Sequence, residues 1–243
     1  MSDRVQKFLQ LVSADQPTGP DLSYDPKFDE LESTLQGKPE VEIGSVVRPA
    51  EPPDWRALTG QAEELFTRTK HLRVAVVLTC CWLKKEGAPG LQDGLALVRE
   101  LLEQQWDKLY PLLDPEDNND PTQRLNILRA LTASRGSVTG WLTIADYLYE
   151  MPLAQPKGGA PITYAQVVAA RRKAEGGAAD GPELSSIMQA LRTAGAEQTA
   201  ARCAELQGAL EAVQGIDQFI TSKLGAGDAI SFDVLELSLI HIS

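Results

Sequence analysis

The sequence predicts an all-α protein: an antiparallel helical bundle as N-terminal domain, followed by a linker and a second, incomplete helical region. Three observations carry this. Leu91, Leu95, Val98, Leu102, Trp106 and Leu109 recur at three- or four-residue steps, the spacing of one helix face. Leu72 to Leu83 is apolar nearly all round, and a helix without a polar face belongs in the middle of a bundle. Strand-like alternation is scarce: Val41 to Val47 is the one short candidate, and it lies between proline-bearing segments. With 43% hydrophobic residues the chain has enough apolar surface to fold rather than stay disordered.

Taken in order, Val5, Phe8, Leu9 and Val12 predict a short first helix, and Gln16 to Tyr24 a loop broken by Pro17 and Gly19-Pro20. Asp25-Pro26 reads as an N-cap with proline at the first helical position, and Phe28, Leu31 and Leu35 form the apolar face behind it. Gly37 to Pro53 is an extended acidic connection. Asp54 caps the next helix, which places Trp55, Leu58, Ala62, Leu65 and Phe66 on one side. Gly87 to Gly90 predicts a turn, and Leu112 to Asp120 an acidic loop. Asp120-Pro121 starts a helix carrying Leu125, Leu128 and Leu131, and a further one carries Val138, Trp141, Leu142, Ala145 and Leu148. Thr163 and Gln166 have the spacing of a capping box.

The small-residue run Gly176 to Pro182 predicts a boundary. It divides the chain into a helical domain at 1–175, a linker at 176–182 and a helical middle region at 183–236. In the last, Leu206, Leu210, Val213, Ile216 or Asp217, Ile220 and Leu224 define a long, alanine-rich helix that packs closely on a partner helix, within the chain or in another subunit. Residues 237–243, starting Leu-Ser-Leu-Ile-His-Ile, match the translated end of a transposase-based sequencing adapter. They are read as non-native, with the reading frame running off a truncated fragment, and are set aside from the fold. His71 is then the one native histidine.

The net charge of −11 opposes a nucleic-acid partner. Residues 21 to 54 hold nine acids against three bases, over half of that net charge: a solvated face or a docking surface for a basic partner. Cys80, Cys81 and Cys203 lack zinc or redox spacing and read as small buried hydrophobes of a reducing compartment. No signal peptide is visible, and Val74 to Leu83 is too short to span a bilayer, so the expected location is the cytoplasm.

Catalytic constellations are missing. One histidine makes no relay or metal pair, and no glycine loop followed by Lys-Ser/Thr exists to cradle phosphate. Gly225-Ala226-Gly227 reads as a helix end. Asp114, Glu116, Asn118 and Asp120 are spaced like the first ligands of a calcium loop, but Asn119 stands where glycine is needed and Leu125 where a bidentate carboxylate is needed. Arg171-Arg172-Lys173 reads as a solvated helix end. Trp55, Trp82, Trp106 and Trp141 each fall on an apolar helix face and read as core. No catalytic residue, cofactor or metal is expected.

Several segments, in order, resemble the ImpA N-terminal domain family of type VI secretion. They are Gly19-Pro20-Asp21-Leu22-Ser23-Tyr24-Asp25-Pro26-Lys27-Phe28, Pro52-Pro53-Asp54-Trp55, Lys70-His71-Leu72-Arg73, Trp106-Asp107-Lys108-Leu109-Tyr110-Pro111 and Arg124-Leu125-Asn126. The family often has an acid where His71 stands and usually histidine where Tyr110 stands. The resemblance implies a cytoplasmic, non-enzymatic assembly component, making residues 1–175 the ImpA-like domain. Such proteins position and prime growth of tail tube and sheath, through contacts with tail, baseplate and membrane-complex proteins, and self-associate at full length. Among the matched residues Gly19, Pro20, Asp21, Leu22, Phe28, Asp54, Trp55, Trp106 and Pro111 carry structural roles: Gly19 and Pro20 shape a loop, Leu22 and Phe28 pack inward, Trp55 and Trp106 anchor the core. The competing reading is an unrelated cytoplasmic helical adaptor or chaperone.

Overall fold

The computed structural model describes residues 1–43, 46–135, 140–177, 180–225 and 230–242. At its centre the chain doubles back at Gly87 between α4 (Leu72–Glu86) and α5 (Ala88–Gln105). Leu72 and every residue from Val74 to Leu83 are buried, as a helix without a polar face requires. The expected turn at Gly87 to Gly90 shrinks to Gly87, because Pro89 suits the first turn of a helix and α5 starts at once. Gly90 and Gly94 then lie inside α5, against α4. A Cβ on Gly90 would fall 2.0 Å from the Trp82 carbonyl oxygen, and one on Gly94 2.6 Å from Thr79 Cα, so these glycines set how closely the two backbones approach.

The remaining helices cover this pair. α3 (Trp55–Arg68) packs on α4 and is capped by Asp54, whose Oδ1 accepts from Arg56 and Ala57 N–H at 3.0 Å. α2 (Pro26–Leu35) packs on α3, with Asp25 at its N-cap and Phe28, Leu31 and Leu35 buried. α1 (Asp3–Leu9) lies on α5, where Arg4 pairs with Asp93 and Glu86. It stops before Val12, since Gln10 N–H turns back to Lys7 O. α6 (Thr122–Thr132) and α7 (Ile144–Glu150) pack on α4 as well. α7 starts later than the apolar pattern suggested: Thr143 caps it, Trp141 and Leu142 precede it, and Val138 lies outside the described residues. The Thr163–Gln166 capping box opens α8 (Tyr164–Ala174), which ends in exposed Arg171-Arg172-Lys173, a basic last turn that suits the helix dipole.

α9 (Leu184–Ala194) and α10 (Ala196–Leu224) follow the 176–182 segment, of which 178 and 179 lie outside the described residues. The partner of the long alanine-rich helix is in this chain: α10 lies along α5. Leu206, Ala209, Leu210, Val213, Ile216 and Ile220 join the same hydrophobic cluster as α4 and α5, so one cluster takes residues from both sides of 176–182. Gly225 ends α10; Ala226 and Gly227 lie outside the described residues. α11 (Asp233–Ile242) packs on α10 and α6, with Phe232, Leu235 and Leu239 buried. The 237–243 tail was set aside from the fold, yet it is helical to Ile242. An apolar run settles on whatever apolar surface adjoins it, whatever its origin.

Two small antiparallel sheets complete the fold. β1 (Val41–Ile43) and β2 (Val46–Arg48) pair Val41 with Arg48 and Glu42 with Val47, so the single expected strand is a hairpin about residues 44 and 45, which lie outside the described ones. β3 (Pro152–Ala154) and β4 (Ile162–Thr163) were not expected; two or three residues are too few to show a period.

Candidate functional site

Between Arg68 and Leu72 the chain leaves α3 and enters α4, and two distant loops meet it there. Lys70 N–H donates to Thr18 O at 2.7 Å, Tyr110 N–H to Lys70 O at 3.1 Å, and Leu72 N–H to Tyr110 O at 2.8 Å. The Thr69 hydroxyl donates to Pro20 O at 2.7 Å and the Tyr110 hydroxyl to Gly19 O at 3.1 Å. Residues 18–20, 69–72 and 110 are thus tied through backbone groups, which specify position rather than side-chain chemistry. Gly19 has φ +72°, and a Cβ there would fall 2.1 Å from Arg68 O, so no other residue fits without moving the α3 end.

Three buried side chains with titratable groups serve this junction. Lys70 Nζ donates to Phe8 O at 2.8 Å and Phe66 O at 3.2 Å and lies 4.8 Å above the Phe66 ring. It therefore puts a positive charge at the C-terminal ends of α1 and α3 together, where the dipoles favour one. Burial lowers its pKa to about 8, leaving it charged at neutral pH. Arg124 is fully buried. Its guanidinium donates to Pro111 O at 2.8 Å, Trp106 O at 2.6 Å and Leu109 O at 2.5 Å, and stacks 4.6 Å from the Trp106 ring. Burial lowers its pKa to about 10, again above neutrality.

His71 is the N-cap of α4. Its Nδ1 accepts from Arg73 N–H at 3.1 Å, which fixes the proton of the neutral ring on Nε2, 3.5 Å from Ser23 Oγ. Phe28 meets its ring edge-on at 4.9 Å. Burial pushes the imidazole pKa down to about 4, outweighing Asp21 and Glu32 nearby, so the cap is neutral at physiological pH.

Of the residues singled out from sequence, Gly19, Pro20, Phe28 and Pro111 sit in this junction with the contacts given. Leu22 packs half-buried on the core cluster, and Trp106 is buried between Arg124 and Phe219, whose ring lies 5.4 Å away. Asp21 bonds its own loop through Ser23 N–H and Oγ, at 2.9 and 2.6 Å. Asp54 and Trp55 are not brought here. They begin α3, at its far end, where Trp55 meets Tyr147 at 5.2 Å. Sequence reading did not select Lys70, Arg124 or Tyr110 as site residues. For Arg124 a signal existed: it shares the helix face of Leu128 and Leu131, an inward place for a charge.

The surrounding chemistry is structural. Cys80 and Cys81 are buried, and burial pushes both thiols up, that of Cys81 to about 12. Asp114 and Asp120 turn their carboxylates onto nearby N–H groups of Glu116 and Thr122, as turn and cap residues do. Among the described residues no three of His, Cys, Asp and Glu gather as metal ligands, and no helix is long and apolar enough to cross a membrane. Much of the acidic stretch from 21 to 54 is paired internally: Asp25 with Arg68, Glu30 with Lys27, Glu32 with Arg73, Glu51 with Lys38.

The family described as ImpA, N-terminal, type VI secretion system matches residues 9–133. A Pseudomonas aeruginosa protein named type VI secretion system component TssA1 is 38% identical over 232 residues, covering 95% of this chain and 64% of that protein. The chain therefore spans just under two thirds of that relative. A solved structure, the N-terminal domain including the conserved ImpA_N region of the TssA component from Burkholderia cenocepacia, superposes with a TM-score of 0.72 at 21% identity, over 100% of this chain and 91% of that one. It is similar in fold.

Proposed function

Since the chain belongs to the ImpA N-terminal, type VI secretion system family, we propose that it is a cytoplasmic assembly component of that apparatus, which positions and primes tail tube and sheath at the baseplate by protein–protein contact. The observation that carries this reading is the 38% identity to a type VI secretion component along 95% of the chain. The site geometry supports a contact role over catalysis: Lys70, His71 and Arg124 spend their polar groups on backbone amides and carbonyls or on a neighbouring hydroxyl. Tail, baseplate and membrane-complex proteins are the proposed partners, and the full-length protein is proposed to self-associate.

The test is a clean deletion of the gene in its host, with fluorescently labelled sheath followed by microscopy. The expected outcome is that sheaths no longer extend and effector release stops, with both restored by the full-length gene. Normal sheath extension and release in the deletion strain would overturn the proposal.

A further inference from the structure

A cleft of about 480 Å³ is walled by α2, the first turn of α4, α6 and residues 140–142. Its size is that of sites which take one or two side chains or a small ligand. The floor is apolar: Leu35, Ala130, Trp141 and Leu142 line it, Leu35 buried and the other three half-buried. The rim is cationic. Arg73 is held by Glu32 through two parallel bonds, Nε to Oε1 at 2.8 Å and Nη2 to Oε2 at 2.9 Å, so that one charge is neutralised. Arg129 donates to the Asn126 side chain and has no carboxylate partner among the described residues. The side-chain amide of Gln36 and the indole N–H of Trp141, both of cleft-lining residues, also lack a hydrogen-bond partner among the described residues.

Uncommitted donors and one uncompensated guanidinium over an apolar floor favour a ligand with a carboxylate beside a bulky apolar group. The rest of the surface repels polyanions, since the chain carries −11, so a local acid on a peptide suits the site better than a phosphate backbone. We infer that this cleft docks a segment of another secretion component, one that offers an Asp or Glu to Arg129 and an adjacent large apolar side chain to the Leu35–Trp141 floor. The inference rests on the assembly role proposed above.

The test uses the full-length protein in cells with an active apparatus, bearing a photo-crosslinking amino acid in place of Gln36 or, as a control, of exposed Gln207 on α10. Cross-links are mapped by mass spectrometry. From position 36 the expected product is an acidic, apolar-bearing segment of a tail, baseplate or membrane-complex protein. Arg129→Glu is expected to lower that capture about tenfold, the loss of one charge-assisted contact. Changing the captured acid to lysine restores capture by Arg129→Glu, and Ala133→Trp, which fills the cleft without altering charge, also lowers it.

Four results overturn the cleft and leave the assembly role standing: a basic captured segment, a second copy of this chain, capture insensitive to Arg129→Glu, or capture of secretion components from 207 only. Failure of both positions to capture any secretion component counts against the assembly role itself, and the cleft falls with it.

Discussion

Arg124 and Arg129 stand five residues apart on α6, and the helix turns them about 140° from one another. Arg124 faces the junction, is fully buried, and has three carbonyl acceptors at the end of α5 and just beyond it. Arg129 lines the cleft, is exposed, and among the described residues its guanidinium bonds only the Asn126 side chain. The same guanidinium does two jobs because its surroundings differ. Inside, desolvation makes an unpaired donor or acceptor expensive, so each of the three guanidinium nitrogens donates to a carbonyl. Outside, water satisfies what the protein leaves open, and the charge stays available to a second molecule. Junction and cleft therefore divide the labour: one holds the chain to itself, the other is free for contact.

The strongest way to break the comparison is on the buried side. Arg124→Met removes all three donors while keeping much of the apolar stem. The expected cost is about 3–5 kcal/mol, since buried carbonyls then lie unpaired, against a total stability of about 5–15 kcal/mol for a typical domain. A urea titration followed by circular dichroism measures it. Arg124→Lys, which reaches fewer acceptors, loses less. Next in size is Gly90→Ala, which probes close packing rather than polar satisfaction. The added methyl would sit 2.0 Å from the Trp82 carbonyl, so α4 and α5 must part, at about 2–3 kcal/mol. An unchanged midpoint for this variant would show that the central pair is not seated that closely.

How far these regions could be read in advance follows from the distance over which each signal acts. The buried run of α4 was legible because a dodecamer apolar at all but Arg73 and Thr79 has few other places to go. The caps at Asp25, Asp54 and Thr163 were legible because a cap is a contact within three residues. Lys70 was not. Its acceptor Phe8 O lies 62 positions away, and a lysine beside a histidine reads as surface until the α1 end is placed over it. The cleft is harder still, since its walls run from Glu32 to Leu142 and no local pattern joins them. Asp54 and Trp55 show the converse. They stand among motif segments in the sequence, yet the length of α3 carries them away from the junction the other segments form.

Acid titration separates the two regions by pH. His71 has its pKa lowered to about 4 in the folded chain, against about 6.5 unfolded. Between those values the unfolded state binds more protons, so stability is complete above about pH 6.5 and falls as pH drops towards 4. A shift of that size corresponds to about 3–4 kcal/mol as an upper bound. Asp25, held below its ordinary value by the Lys27 N–H and Arg68, loses its contribution in a lower window, as pH falls through its depressed pKa. His71→Asn keeps an oxygen to cap Arg73 N–H but does not titrate there, so melting curves of this variant between pH 4 and 6.5 should be flatter than those of the parent. Equal slopes would mean that the imidazole is not the group responsible.

The smallest expected effect is the one that completes the contrast. Arg129→Glu should change stability by less than about 0.5 kcal/mol, because an exposed side chain bonded to a neighbouring amide contributes little to folding. Set beside the 3–5 kcal/mol of Arg124→Met, that near-zero value is informative. It lets loss of partner capture by Arg129→Glu be assigned to the contact and not to a damaged fold. If Arg129→Glu instead lowered the urea midpoint as much as Arg124→Met, the guanidinium would be serving the core from outside, and α6 would present one structural surface where two functions are now assigned.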